Sequence, residues 1–193
     1  MADDKILIRV AQAADAEDIH RALLTLAAHI GDVSKVKSTP DDLRRYGFGP
    51  DPAFDCLIAE AAGETAGICL FFRSFSTWFG KPGIYVQDLV VHDKFRGRGI
   101  GEGLLRRAAK IGKERGCVYM RLAVDHENPS AMAFYERLRL VHRYDDLIYA
   151  AYGEAFDALA VEKGIRFESL LCGRTEAPQP QGISVQRRRK AQS

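Results

Sequence analysis

The chain has 193 residues, of which 47% are hydrophobic and 28% are charged. That composition is ordinary for a soluble globular protein, and the length suits one domain with a sizeable core. The 28 basic and 26 acidic side chains leave a net charge of +2, which argues against a dedicated nucleic-acid-binding protein. The acidic N-terminus predicts no signal peptide, and no apolar run is long enough for a membrane span, so we expect a cytoplasmic protein.

The first half of the chain predicts a strand over 5–10 and then a helix that starts at Asp15 and ends near Ile30, with Asp15 as N-cap. Thr39 and Pro40 give a second helix start, because proline suits the first helical position. Three strands follow over 54–62, 66–75 and 84–91, and a tight turn at Gly63 joins the first two as a hairpin.

The second half predicts a helix from Gly101 to about Arg115, stopped by Gly116, and then a strand over 118–124. Asn128 is a helix N-cap with proline after it, and that helix runs to about residue 137. A last strand over 147–152 and a last helix over 153–162 complete the predicted elements. The order indicates one α/β domain with a mixed sheet.

The C-terminal region is expected to differ from the rest. We predict one domain over 1–165 and an extension over 166–193, flexible from about residue 174 because proline, glutamine, serine and basic residues dominate there. The basic run 187–190 is interpreted as a solvated tail rather than a nucleic-acid or nuclear-import patch.

The four cysteines are Cys56, Cys69, Cys117 and Cys172. None lies in a CxxC pair, and no histidines stand beside them at zinc-ligand spacing. The pattern indicates buried, unreactive thiols in a reducing compartment, and it predicts no metal site.

The strongest local feature is the segment 96–101, Arg-Gly-Arg-Gly-Ile-Gly, between an apolar strand and a helix. Its glycines let backbone amides approach an anion, and the helix N-terminus adds partial positive charge, which suits a pyrophosphate. A Walker loop is excluded because no Gly-Lys-Ser/Thr follows, and a dinucleotide-binding fingerprint needs a different glycine spacing. A plain glycine-rich turn with solvated arginines remains the alternative on this segment alone.

Two segments together resemble the signatures of the GNAT superfamily of N-acetyltransferases. The first, with Arg96, Gly99 and Gly101 in place, is similar to Arg/Gln-x-x-Gly-x-Gly/Ala. The second, 128–136 (Asn-Pro-Ser-Ala-Met-Ala-Phe-Tyr-Glu), resembles Asn-x-x-Ala-x-x-Phe-Tyr. The likeness spans about residues 5–160 and implies a single-domain GNAT fold, with a mixed, mostly antiparallel sheet flanked by helices. Segments 46–49, 54–60 and 75–81 look like the spermidine/spermine and thialysine N-acetyltransferase branch.

What the resemblance implies is direct attack of an amine on acetyl-CoA, with no acyl-enzyme and no metal, in a homodimer. Tyr135 would protonate the leaving thiolate. Backbone amides of strand 84–91 and of the glycine loop, with one asparagine, would hold acetyl-CoA: Leu89, Val90, Val91, Arg96, Gly97, Arg98, Gly99, Ile100, Gly101, Glu102 and Asn128.

The acceptor side departs from the branch. Trp78, Gln87 and Asp88 are the expected substrate contacts, yet Gln87 stands where the branch has a glutamate base, and an amide cannot accept a proton. Asp88 would point to the other face of a regular strand. Glu60, Asp125 and His126 are the other candidate bases. Asp145 and Asp146, near the last strand, could restore negative charge for the acceptor. Arg139 stands where the helix after Tyr135 commonly ends in glycine.

Ser76 stands where the branch has an acid for a distal ammonium, so a small amine such as a diamine or thialysine is as suitable as a long polyamine. We therefore expect acetyl transfer to a primary amine of a small molecule. The alternatives are a catalytically weak acyl-CoA-binding regulatory module, and acetylation of a protein or peptide.

Overall fold

The structure of the protein is a computed structural model that describes residues 5–144 and 147–161. Contacts divide the chain into two units after His142. The described elements of the first unit are β1 (Leu7–Val10), α1 (Ala16–Ile30), α2 (Pro40–Phe48), β2 (Asp55–Ala61), β3 (Glu64–Ser76), β4 (Lys81–Val91), α3 (Ile100–Glu114), β5 (Met120–Leu122) and α4 (Pro129–Arg137). The described part of the second unit contains α5 (Glu154–Leu159).

The sheet of the first unit has the order β1-β2-β3-β4-β5 in the described residues. Strands β1 to β4 are antiparallel neighbours, while β5 runs parallel to β4. The predicted mixed, mostly antiparallel sheet is therefore confirmed. The β2–β3 hairpin turns at Ala62 and Gly63, whose φ angles of 52° and 77° are the positive values that a tight hairpin turn requires.

Two separate cores form because alternate side chains of each strand point to opposite faces of the sheet. One core, on what we call the α3 face, joins Leu57 and Phe71 of the sheet to Leu104 of α3. The other, on the α1 face, joins Ile58 of the sheet to Ile19 of α1 and Leu43 of α2. Each face of the sheet thus carries its own helices.

Local signals set several helix ends as predicted. Thr39 Oγ1 accepts from the Asp42 N–H at 3.2 Å, and Asp42 accepts from the Thr39 N–H at 2.9 Å, which forms a capping box before α2. The Asn128 side chain caps α4 by accepting from the Ala131 N–H at 3.0 Å. Gly116, with φ of 80°, follows α3. These starts and stops follow from a few adjacent residues.

Two strand predictions were wrong, one in length and one in existence. The strand expected over 118–124 is limited to Met120–Leu122. The segment 147–152 forms no strand, and its large apolar side chains are exposed, because an apolar run forms a stable strand only where a neighbouring strand pairs with it. Asp15 is the N-cap residue of α1, as predicted, but its side chain makes no cap hydrogen bond to that helix. The buried positions of Cys56 and Cys69 are confirmed, Cys117 is only partly buried, and Cys172 lies outside the described residues.

The Asp15 carboxylate instead holds the guanidinium of Arg9. Arg9 Nη1 and Nη2 lie 2.7 and 2.8 Å from its two oxygens, and Arg9 Nε lies 2.8 Å from Glu60 on β2. This cluster joins β1, β2 and the start of α1. Hydrogen bonding to Arg9 lowers the pKa of Asp15, although partial burial opposes the shift.

We predict that Asp15→Asn lowers the free energy of unfolding at pH 7 by about 1.5–3 kcal/mol, the usual range for a hydrogen bond to a charged group. A carboxyl with a lowered folded pKa stabilises the fold above its unfolded pKa and loses that contribution as pH falls. The difference between the variant and the wild type should therefore shrink below about pH 4. Urea unfolding at pH 7 and pH 3 measures it.

The matched control is Asp41→Asn, which removes an ion pair between Arg44 and a side chain that is 92% exposed. Such surface pairs contribute about 0–1 kcal/mol. Equal losses in the two variants at pH 7 would contradict a special role for the Arg9 cluster.

Candidate active site

The edge of β4 that faces β5 is paired along only part of its length. Residues Ile84–Val86 pair with Met120–Leu122, while β4 continues to Val91. The His92 N–H donates to Ala66 O of β3 at 3.0 Å. Because successive backbone groups alternate in direction, the N–H groups of Leu89 and Val91 point towards the open edge. This edge offers backbone donors beside a gap between two strands.

An irregularity in β4 lies at the start of that open edge. Asp88 pairs with Leu70, yet Val86 pairs with the next residue of β3, Phe71. Gln87 is therefore an extra residue on β4, opposite no residue of β3. Such an extra residue forms a β-bulge, which changes the direction of the side chains that follow it.

The bulge places Gln87 and Asp88 on the same face of the sheet. Before it, Val86 belongs to the core on the α3 face, and after it Leu89 packs against that same core. Val90 belongs to the core on the α1 face. Two residues between Val86 and Leu89 can only both point to the α1 face. The expectation that Asp88 faces away from Gln87 is therefore wrong, because it assumed a regular strand.

The environments of these two neighbours differ. Gln87 is exposed, whereas Asp88 is partly buried. Burial raises the pKa of Asp88 to about 6. In the described chain, the Asp88 carboxylate has neither a hydrogen bond nor an ion pair. A half-buried carboxylate without a cation beside it is costly, since desolvation disfavours its charged form.

The glycine loop has the geometry of an anion site. Gly97 and Gly99 have φ angles of 77° and 76°, and a Cβ on either would meet no protein atom within 4 Å. Helix α3 starts directly after Gly99, so the first N–H groups of Ile100, Gly101 and Glu102 lie at its positive end. The loop therefore presents backbone donors to open space.

The two arginines of the loop have protein contacts of their own. Arg96 lies 3.0 Å from Asp93 and 3.0 Å from Nε2 of His29, near the end of α1, and its Nε donates to Val91 O at 3.3 Å. The Arg98 guanidinium lies 5.8 Å from the ring centre of Phe95. Arg96 thus links the loop to β4 and α1.

Tyr135 lies on the α3 face, where its ring packs against the core together with Leu89. Burial raises the pKa of its phenol, and the Cys69 thiol adds to the shift. Cys69 is the cross-strand partner of Leu89, so the phenol is close to the sheet where the open edge begins. A raised pKa keeps the hydroxyl protonated and able to donate.

A cavity of about 340 Å³ lies between the start of α3 and the end of α4. Its lining includes Glu102, Arg106, Arg137 and Arg139. Arg139 has a φ of 64°, as its position at the end of α4 predicts, and this conformation costs a non-glycine residue about 1 kcal/mol. The basic lining from α3 and α4 was missed from the sequence, because the arginines of the two helices are far apart in the chain.

The other predicted residues are not all near the open edge. Trp78, 95% exposed, lies in the turn between β3 and β4, and Ser76 Oγ accepts from the Phe79 N–H in that turn. Asp125 accepts from the Glu127 N–H, and the His126 side chain is 90% exposed. Residues 145–146 lie outside the described residues, as does the chain after 161.

Neither a metal cluster nor a membrane helix occurs in the described part of the chain. Residues 5–144 and 147–161 contain no group of three or more His, Cys, Asp or Glu side chains arranged to hold a metal ion. In the same ranges, no helix combines the length and apolar character that crossing a bilayer would need.

Comparison with known proteins assigns the family. The model of the acetyltransferase (GNAT) family matches residues 17–139, which is more than half of the chain. The chain belongs to the GNAT family. It is therefore an acetyltransferase, from a family whose members use acetyl-CoA as acetyl donor.

Named relatives agree with the branch that the sequence resembles. The acetyltransferase is 37% identical over 141 residues to thialysine N-epsilon-acetyltransferase of Bos taurus, covering 69% of this chain and 82% of the relative. It is 32% identical over 139 residues to the human spermidine/spermine N(1)-acetyltransferase-like protein 1, covering 68% of this chain and 20% of that longer protein.

A solved structure confirms the fold. An integron cassette protein from V. cholerae superimposes with a TM-score of 0.69 at 20% identity, covering 84% of this chain and 99% of its own.

The glycine loop yields a prediction on cofactor affinity. Gly99→Ala should weaken acetyl-CoA binding roughly tenfold, because about 1–2 kcal/mol of left-handed backbone strain at position 99 would be relieved by moving the loop amides. Isothermal titration calorimetry with acetyl-CoA measures the change.

Gly116→Ala is the control, since Gly116 has a φ of 80° with open space around it, at the other end of α3. It should lower stability by about 1 kcal/mol and leave acetyl-CoA affinity within about twofold. Equal weakening of binding in both variants would show that the loop amides are not the cause.

Proposed function

We propose that this acetyltransferase transfers the acetyl group of acetyl-CoA to a primary amine of a small molecule, such as a diamine, a polyamine or thialysine. The observation that carries the proposal is the open edge of β4, with an anion-binding loop at one end and a phenol on one face. The names of the thialysine and spermidine/spermine relatives support the substrate class.

In this proposal the donor lies along the open edge and the loop. Backbone N–H groups from Gly97 to Glu102 bind the pyrophosphate, and those of Leu89 and Val91 bind the pantetheine amide and the thioester carbonyl. Asn128 Oδ1 already accepts from Ser130 and Ala131 in its helix cap. Any contact of Asn128 with the pantetheine arm therefore uses its Nδ2.

The remaining donor residues act through their backbone or their position. Val90 spaces the two donating residues of the edge, and Ile100 and Gly101 supply N–H groups of the helix end. Arg96 holds the loop in place through Asp93 and His29. Arg98 adds positive charge beside the loop. The arginine-lined cavity at the end of α4 has the charge that a second phosphate of the donor requires.

The reaction is direct attack of the neutral amine on the thioester carbon. The nitrogen–carbon bond forms, and the oxyanion is stabilised by the N–H groups at the open edge. The carbon–sulfur bond then breaks, and Tyr135 gives its proton to the departing thiolate. Trp78, Gln87 and Asp88 serve the acceptor. Of the two protons that the ammonium loses overall, one ends on the coenzyme A thiol and one reaches solvent.

We infer further that the enzyme acts in the cytoplasm as a homodimer, with no metal and no nucleic-acid or membrane partner. The near-balanced charge of +2 and the buried free thiols support the compartment and the choice of partners. The family likeness supports the dimer. We place the catalytic domain at 1–165 and treat 166–193 as an extension.

One observation favours a second candidate. The exposed Gln87 cannot accept a proton. A catalytically weak acyl-CoA-binding regulatory module would need no base at this position. A protein or peptide acetyltransferase is a third candidate. The test is coenzyme A release, followed with a thiol reagent, across diamines, spermidine, spermine, thialysine, lysine and a lysine peptide. Release with free amines is expected; binding without release supports the module, and release with the peptide alone supports the third candidate.

Within the enzyme, Tyr135→Phe should lower kcat about 100-fold, the lower range for removal of a general acid. The affinity for acetyl-CoA should stay within about twofold, because the loop and edge amides are unchanged. Stopped-flow turnover and calorimetry measure the two quantities.

Tyr119→Phe is the matched control, because the Tyr119 hydroxyl lies 3.1 Å from Ser74 Oγ in the sheet. Its loss should lower stability by about 1 kcal/mol without changing kcat. Unchanged kcat in Tyr135→Phe would remove the phenol from the reaction.

A further inference from the structure

The acceptor amine must lose a proton before it can attack. A primary alkylamine with a pKa near 10 is almost entirely protonated at neutral pH, so the site needs a nearby base. Gln87, the exposed residue at the bulge, has an amide side chain that cannot act as that base.

The other candidate bases have interactions that favour different roles. Glu60 is held by Arg9 Nε at 2.8 Å, in the cluster that joins β1 and β2. Asp125 accepts from the backbone of Glu127 at 3.0 Å, and His126 is almost fully exposed. These groups serve a local structure or lie in solvent.

Asp88 differs from all of them in position and in partners. The bulge at Gln87 directs the Asp88 side chain to the α1 face, immediately before the Leu89 N–H at the open edge. Its carboxylate is half-buried and, in the described chain, free of hydrogen bonds and ion pairs. The fold thus keeps a costly, uncompensated carboxylate beside the edge where the thioester is proposed to lie.

The other groups on this face do not compete for the proton. Across the sheet from Asp88 stand Leu70 and then Cys56, while α1 and α2 contribute apolar side chains such as Leu23 and Phe48. Burial raises the pKa of the Cys56 thiol, and it raises that of Cys69, on the opposite face, to about 12. Both thiols therefore stay neutral. Among these residues, Asp88 is the ionisable group that changes charge near neutral pH.

We propose that the Asp88 carboxylate accepts the proton of the acceptor ammonium, directly or through one water, and that the acceptor reaches the open edge from the α1 face. This inference rests on the proposed function. The amine nitrogen gives one proton to Asp88, which passes it to solvent. Its lone pair then attacks the thioester carbon, the carbon–sulfur bond breaks, and Tyr135 protonates the thiolate from the α3 face. The second proton that the nitrogen loses restores the Tyr135 hydroxyl.

Asp88→Asn should lower the activity of the enzyme without lowering its stability. Near pH 7 the variant should lose about 100-fold in kcat/KM for the amine, as general bases contribute at least that much, with acetyl-CoA affinity within about twofold. The loss should shrink as pH rises towards the pKa of the amine, because free amine needs no base. A merely structural role would give no such recovery.

The same variant should melt at or above the wild-type temperature at pH 8. A carboxyl whose folded pKa is raised destabilises the fold when it ionises, so wild-type stability increases as pH falls through about 6 towards the unfolded value. A neutral amide avoids that cost. A lower melting temperature in Asp88→Asn would indicate a structural carboxylate.

Two further variants complete the test. The double variant Gln87→Glu, Asp88→Asn should have a kcat/KM at least tenfold higher than that of Asp88→Asn alone, since the side chains at both positions lie on the α1 face. Asp55→Asn is the control: it removes the ion pair with Arg115, 3.0 Å away at its longer contact, and should leave the pH profile unchanged.

The outcomes separate this inference from the function on which it rests. If the wild-type protein turns over no free amine, the proposed function fails. If the wild type is active and Asp88→Asn matches it at every pH, Asp88 is not the base while the function stands. If instead Asp125→Asn shows the loss and its recovery at high pH, the base is Asp125.

Discussion

The divergence of β4 and β5 is the constraint on which the rest of the site depends. Close to the start of β4 the two segments are tied together, because the Val118 N–H donates to Pro82 O and the Ile84 N–H donates to Tyr119 O, both at 3.0 Å. Tyr119 lies so close over Gly83 that a Cβ there would approach its ring to 2.3 Å. Beyond Val86 the pairing stops. The sheet therefore opens beyond Val86, and the backbone donors of β4 on that side have no strand partner in the described residues.

The bulge at Gln87 adds a second constraint at the same point. One additional residue returns Leu89 to the core on the α3 face and leaves Asp88 on the α1 face. The glycine loop then follows β4 directly, so that the open edge and the start of α3 are joined by a short segment anchored by buried Phe95. In the proposed mechanism the acid, Tyr135, and the base, Asp88, therefore act from opposite faces of the sheet.

Features set by adjacent residues could be predicted from the sequence, and features set by distant pairing could not. Thr39 and Asn128 cap their helices as expected. The bulge was missed because it depends on how β3 pairs with β4, which residues 84–91 alone do not encode. The strand predicted over 147–152 failed for the same reason, since a run of apolar residues does not supply a strand to pair with.

The role of Arg96 was likewise beyond local reasoning. Its position in a glycine loop suggested a free positive charge, whereas His29, 67 residues earlier in the chain, is one of its contacts. Asp15 is a similar case, since the nearby helix start suggested a cap while the guanidinium of Arg9 was the stronger partner. In both cases the tertiary structure brings the charged side chain next to an oppositely charged or hydrogen-bonding group that local sequence does not indicate.

The separate cores on the two faces of the sheet have a consequence for the order of events. In the proposed function the donor lies along the open edge and the glycine loop, while the acceptor reaches the edge from the α1 face, so neither product must leave before the other substrate binds. The neutral, buried thiols of Cys56 and Cys69 are poor carriers of a covalent acetyl group. Together with the proposed function, these features favour direct transfer of the acetyl group while both substrates are bound.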